Sequence, residues 1–147
     1  MIHLQNQVEN DIPAGTIRQA VERTLAASGM PAGDVTVVLT GDEQIHALNR
    51  EYLGNDHPTD VLAFPAGGDD PETGRAYLGD VVISLPRAAE GARGRGHDIL
   101  AEVQLLVIHG VLHLLGHDHA DETEKARMDK AQTAVLVDLG LHIDPWG

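Results

Sequence analysis

Apolar and polar residues alternate over Ile2–Val8, with Ile2 and Leu4 set against His3 and Gln5, which predicts an opening strand. The period then changes. After Pro13-Ala14-Gly15-Thr16, the residues Ile17, Ala20, Val21, Thr24 and Leu25 recur at helical spacing, and Ser28-Gly29 closes that helix. Pro31–Asp34 make a turn into a short β-branched strand, Val35–Leu39. Asp42 is placed to cap a helix over Glu43–Tyr52, with Ile45, Leu48 and Tyr52 facing inwards. A polar loop, Leu53–Pro58, leads to a strand over Thr59–Pro65. The glycine- and acid-rich stretch Ala66–Ala76 reads as a surface connection, and Tyr77–Ser84 as a further strand. Pro86 suits the first turn of a helix reaching about Ala92, broken by Arg93-Gly94-Arg95-Gly96-His97. A long helix follows from Asp98 to Leu115, burying Leu100, Val103, Val107 and Val111. A last helix runs from Asp121 to Leu139, with acids at its start and a packing stripe of Met128, Ala131, Val135 and Leu139. The tail ending Asp144-Pro145-Trp146-Gly147 reads as draped or frayed. With no repeat, low-complexity segment or linker, residues 1–147 are expected to form one α+β domain. Its small sheet is packed by helices on one side, with the long helix near the centre.

Composition sharpens this in a few respects. Apolar residues make up 42% of the chain but aromatics only 3%, so the core must be aliphatic. The absence of cysteine excludes disulfides, thiolate metal sites and cysteine nucleophiles, and agrees with a reducing compartment. No stretch approaches the ~20 apolar residues of a membrane span, and the N-terminus lacks the basic and apolar regions of a secretion signal. A cytoplasmic protein with no membrane partner is expected. The net charge of −13 argues against a general coater of nucleic acid, because phosphate neutralisation needs Lys and Arg. It describes the whole surface, and a local basic cleft is compatible with it.

The chemistry concentrates in Ile108-His109-Gly110-Val111-Leu112-His113-Leu114-Leu115-Gly116-His117-Asp118-His119. His109 and His113 stand four apart, so a helix presents both from one face, one turn above the other. Gly116 is placed where a helix can end in the left-handed conformation. The chain then turns, so that His119 can swing back towards the first two imidazoles. Three imidazoles with an open fourth position are the ligand set of a catalytic zinc. The spacing is that of the metzincin proteases, H-E-x-x-H-x-x-G-x-x-H, with one difference: the general-base Glu is replaced by Gly110. The metal cage is kept and the peptidase acid/base is missing.

Three further blocks agree with the histidine segment. Leu48-Asn49-Arg50-Glu51-Tyr52, Pro58-Thr59-Asp60-Val61-Leu62-Ala63-Phe64-Pro65 and Leu78-Gly79-Asp80-Val81-Val82-Ile83-Ser84, followed by His109–His119, resemble the YbeY family of bacterial metal-dependent endoribonucleases. The resemblance runs from about Val35 to Leu139. It implies an α+β domain with a zincin-like central helix and one Zn2+ per chain, held by His109, His113 and His119. It also implies single-stranded RNA as substrate and no action on DNA. Its further implications are 3′-end maturation of small-subunit (16S) ribosomal RNA, ribosome quality control, and contact with the ribosome or its proteins. In one place the pattern departs. The family tyrosine matching Tyr52 is commonly followed by arginine, and here by Leu53, which cannot stabilise charge on a pentacoordinate phosphate. Arg50, one turn earlier, is the candidate substitute, with Arg93 and Arg95 as further possibilities.

His117 is a candidate proton carrier, since an imidazole titrates near neutrality; an exposed loop histidine has the same sequence. Asp118 reads more simply as a turn cap than as an orienting acceptor for an imidazole. Asp60, Asp80, Thr59 and Ser84 are read first as structural hydrogen-bonding groups at strand ends. His46, His57, His97 and His142 are read as surface positions, and Arg87, Arg93 and Arg95 as phosphate contacts or a solvated helix end. Two other functions are compatible with the sequence. One is a ribosome-assembly factor with a mainly structural zinc, which Leu53 favours. The other is a metal-dependent peptidase, which the missing Glu disfavours.

Overall fold

In the computed structural model, which describes residues 2–30, 33–66, 77–117 and 120–141, the chain order is β1 (Ile2–Asn6), α1 (Ala14–Ala27), β2 (Asp34–Thr40), α2 (Asp42–Leu53), β3 (Val61–Pro65), β4 (Tyr77–Ser84), α3 (Leu85–Arg95), α4 (Ile99–Leu114) and α5 (Glu122–Asp138). The strands form one mixed sheet in the order β1-β2-β4-β3. β1, β2 and β4 are parallel, with α1 as the crossover between β1 and β2, while β3, reached through α2, runs antiparallel to β4 along the sheet edge. The expected α+β class with a mixed sheet is observed.

The strand period of two assigns side chains to faces. Val35, Val37 and Leu39 of β2 and Val81 and Ile83 of β4 join the main core with Ile17, Val21 and Leu25 of α1, Met128 and Val135 of α5, and α4. Their alternates Val38 and Val82, with Leu62 of β3, meet Ile45 of α2 in a smaller cluster. The sheet is therefore covered on both faces, not on one. Four helices lie on one side, and α2 lies alone on the other because its Ile45–Leu48 stripe answers the second set of valines. Two details of α2 also differ from expectation. Gly41 occupies the N-cap and Asp42 is the first helical residue, its carboxylate accepting from Ser84 Oγ at 2.7 Å. Tyr52 does not face inwards but is 61% exposed.

α4 is buried nearly all round, from Val103 through Leu112, which is why it stands at the centre; Leu100, in its first turn, is only half-buried. Asp98 caps its start by accepting from Ala101 N at 2.8 Å. At its other end Gly116 adopts φ +97°, with His117 N donating to Leu112 O and Gly116 N to His113 O, the paired bonds of a Schellman stop. α3 continues past Ala92 to Arg95, and Gly96 at φ +76° ends it.

Close backbone approach explains two glycines. A Cβ on Gly110 would lie 2.5 Å from Val81 Cγ1, so α4 rests on β4 through a bare backbone. Gly79 follows the bulge at Leu78, where Asp34 pairs with Tyr77 and Val35 with Gly79. Its φ is +139°, and a Cβ there would lie 2.2 Å from Phe64 O.

Candidate functional site

α4 presents His109 and His113, both half-buried, towards edge strand β3. Their Nε2 atoms lie 3.1 Å apart and the rings meet edge to face, with centroids 4.6 Å apart. His109 Nδ1 lies 3.1 Å from Oε1 of Gln132, a residue of α5 that is only 1% exposed. A glutamine carbonyl oxygen can only accept, so His109 carries its proton on Nδ1 and turns the Nε2 lone pair towards His113. Two zinc-bound nitrogens at ~2.0–2.1 Å from a tetrahedral ion are ~3.3–3.4 Å apart, close to the separation found here. The pair therefore fits two positions of a tetrahedral imidazole site. His113 lies in the last turn of α4, where the helix dipole also favours a cation.

His119 and Asp118 lie outside the described residues, as do the expected surface connection beyond Ala66, His142 and the tail. Among the described residues no three His, Cys, Asp or Glu side chains converge, so the structure shows the histidine pair and its Gln132 support.

The pair opens on a cleft of about 390 Å³, walled by Thr59, Asp60 and Ala63 around β3, by Gly110 of α4 and by Leu53 at the end of α2. The loop from α2 to β3 is pinned by buried Asn49, whose side chain donates to His57 O at 2.9 Å, while Asn55 N donates to Asn49 O at 3.2 Å. The Asn49 block thus has a structural reason: it fixes the lip that carries Leu53. The position where the sequence departs from the family pattern does line the cleft.

Arg50, one turn before Leu53, is exposed; the cleft lining includes Leu53 but not Arg50 among the described residues. Its charge acts instead on Asp56. That carboxyl is held below its usual range first by the 2.8 Å bond to His46, and to a lesser degree by Arg50. His117 lines a separate recess with Gly116, Glu124 and Arg127.

Asp60 reaches both the main cleft and a smaller cavity of about 120 Å³ behind His109, lined also by Gln132 and Arg95. Asp80, by contrast, belongs to a structural network on the α2 face. It accepts from the Tyr77 hydroxyl, which also bonds Thr36 Oγ1 at 2.8 Å. Ser84 is likewise structural, capping α3 through Arg87 N.

His97 is not a surface residue and Arg95 is not merely a solvated helix end. Arg95 Nη1 donates to both oxygens of Glu102 at 2.8 Å, and His97 Nε2 lies 3.0 Å from the same carboxylate, which is 1% exposed. Glu102 stands seven residues before His109, two turns along the same helix face, and that spacing is its only sequence signal. Gln132 has a clearer one: a polar residue at i+4 from Met128, inside the apolar stripe of α5.

A helix-borne imidazole pair beside an edge strand, without the glutamate of a peptidase, sets this chain apart from the proteases that share its histidine spacing. Comparison with known proteins gives the family. The family profile "Endoribonuclease YbeY" matches residues 3–140. A protein named Endoribonuclease YbeY from Carboxydothermus hydrogenoformans is 46% identical over 140 residues, covering 95% of both chains. One of the same name from Geobacillus kaustophilus is 39% identical over 138 residues, covering 86% of each. The solution structure of TM1509 from Thermotoga maritima shares the fold, with a TM-score of 0.61 at 24% identity over 95% of this chain and 92% of that one. The chain belongs to the YbeY endoribonuclease family.

Proposed function

We propose that this family member is a zinc-dependent, single-strand-specific endoribonuclease that matures the 3′ end of small-subunit (16S) ribosomal RNA and serves ribosome quality control in the cytoplasm. The coarser part follows from the family: the protein is an endoribonuclease, a hydrolase acting on RNA. The observation that supports the metal is the 3.1 Å approach of the His109 and His113 Nε2 atoms, with His109 oriented by buried Gln132. His109, His113 and His119 would hold one zinc, and a bound zinc supplies Lewis acidity to a phosphoryl oxygen and acidifies water.

The chain's own residues set the rest. Gln132 orients His109, and β3 and Leu53 wall the cleft onto which the imidazole pair opens. Gly110 brings no acid or base, and the Val81 contact leaves no room for one. Arg50 is the proposed cation for phosphate, on the helix that ends at the cleft lip. His117 is the proposed proton carrier on the loop side. A second reading, an assembly factor with a mainly structural zinc, is favoured by one observation: the residue lining the cleft at the family arginine position is Leu53.

The test is incubation of purified protein with small-subunit ribosomal RNA precursor, using the native chain, His113→Ala and Leu53→Arg, with and without chelator. Cleavage by the native chain that chelator and His113→Ala both abolish is expected. Cleavage appearing only in Leu53→Arg would put the assembly-factor reading first.

A further inference from the structure

Tyr52 is the residue that most plainly breaks its expected pattern. It is spaced for the buried face of α2, yet it is 61% exposed, and Leu53 beside it is 55% exposed. Four large hydrophobic side chains stand exposed among the described residues, and two of them are these neighbours at the cleft lip. In a chain with one Phe, two Tyr and one Trp, an aromatic left in water is not filler. The other tyrosine, Tyr77, is half-buried with its hydroxyl shared between Asp80 and Thr36.

The ring of Tyr52 is also held. Phe64 of β3 meets it edge to face, with centroids 5.6 Å apart and planes 71° apart; Phe64 alternates with the cleft-lining Ala63 and Pro65 and packs on the α2 face, so the ring stands beside the cleft, next to cleft-lining Leu53. The pinned Asn49 loop fixes the helix end that carries it.

We propose that Tyr52 is a stacking platform for an unpaired nucleobase of the RNA strand entering the cleft, with Leu53 as the adjoining apolar wall. The proposal rests on the endoribonuclease reading and adds a specificity-determining residue to it. The overall charge favours such a contact. With 10 Lys and Arg against 23 Asp and Glu, the chain has few cations for phosphate neutralisation. Stacking on an aromatic face is indifferent to net charge and to base identity, and requires that the base be unpaired. A single-strand preference follows from that geometry.

The test measures binding of zinc-loaded protein to a 2′-O-methyl oligoribonucleotide and to a series in which one nucleotide at a time is abasic, alongside cleavage of the unmodified oligonucleotide. For the native chain, one abasic position is expected to weaken binding roughly ten-fold, equivalent to ~1.4 kcal/mol and within the range of base–aromatic stacking. Tyr52→Ala should lose the same factor on the intact strand and become indifferent to that position. Tyr52→Phe should behave as the native chain, and a thermal melt of each variant separates folding from binding. Native-like binding by Tyr52→Ala, or an abasic penalty that persists in it, would overturn the platform while leaving a nuclease that still cuts. A native chain that neither binds nor cuts the strand would overturn both readings.

Discussion

Replacing Gly110 with alanine tests the packing that distinguishes this site from a protease. The new Cβ would stand 2.5 Å from Val81 Cγ1 and 3.1 Å from Cγ2, where ordinary contact begins near 3.4 Å. Val81 is 0% exposed in a central strand and its branched side chain has no free rotamer space, so α4 or β4 must move by about 1 Å. Overpacking of this kind costs ~1–3 kcal/mol, against which the better helix propensity of alanine returns ~1 kcal/mol. The net loss is then about 0–2 kcal/mol, or up to roughly 8 °C in Tm for a domain of this size. Val81→Ala alone opens a void, but in the double variant the methyl group added at position 110 fills part of it. The two losses should therefore fall short of adding by at least ~1 kcal/mol. Urea denaturation of the four proteins measures the cycle. Losses that add within ~0.5 kcal/mol would refute the contact. Gly110→Glu, which would restore the protease motif, should fold worse still and yield no peptidase.

Gln132→Leu should leave the fold largely intact but lower zinc affinity on the order of 10–100-fold, read by competition with a chelating indicator; unchanged affinity would mean that Gln132 does not orient His109. Arg95→Ala leaves the buried Glu102 carboxylate with His97 alone and should cost on the order of 3 kcal/mol in chemical denaturation, with Arg95→Lys intermediate. The Tyr77 hydroxyl is pushed above its ordinary range, first by burial and then by its bond to Asp80. The folded chain thus keeps this proton to higher pH than the unfolded chain does. Its stabilising contribution is full below about pH 10 and is lost as pH rises through the folded value. Denaturation midpoints across that window should fall in the native chain and flatten in Tyr77→Phe.

How much of this is legible in the sequence depends on whether a periodicity carries it. The His109–His113 pair and the Gly116 stop follow from the helix repeat and from glycine's freedom at positive φ, and both stand where the spacing places them. The element order follows from the switches between periods of two and 3.6. What period cannot say is which face of a sheet a helix will cover. α2 goes to the opposite face because β2 and β4 carry valines on both sides, and no local signal chooses between them. Tyr52 also departs from its expected place: its position on the helix wheel suits the interior, but in the last turn of α2 its ring meets Phe64 of the edge strand and stays 61% exposed. Glu102 and Gln132 are hidden because a polar residue on an apolar stripe reads as a defect until its partner on another element is known. Gly110 is legible as a missing base; its contact with Val81 emerges only from the approach of α4 to β4.

The proposed function places the imidazole pair on α4 at the heart of a zinc-supported RNA-cleaving site. Stripped protein should be titrated with zinc while the cleavage rate of a single-stranded small-subunit ribosomal RNA fragment and the bound zinc are followed together, in the native chain and in His109→Ala. Activity should rise in proportion to bound zinc, level off at one ion per chain, and be absent from a folded His109→Ala protein. Full cleavage by the stripped protein, or by His109→Ala, would contradict this.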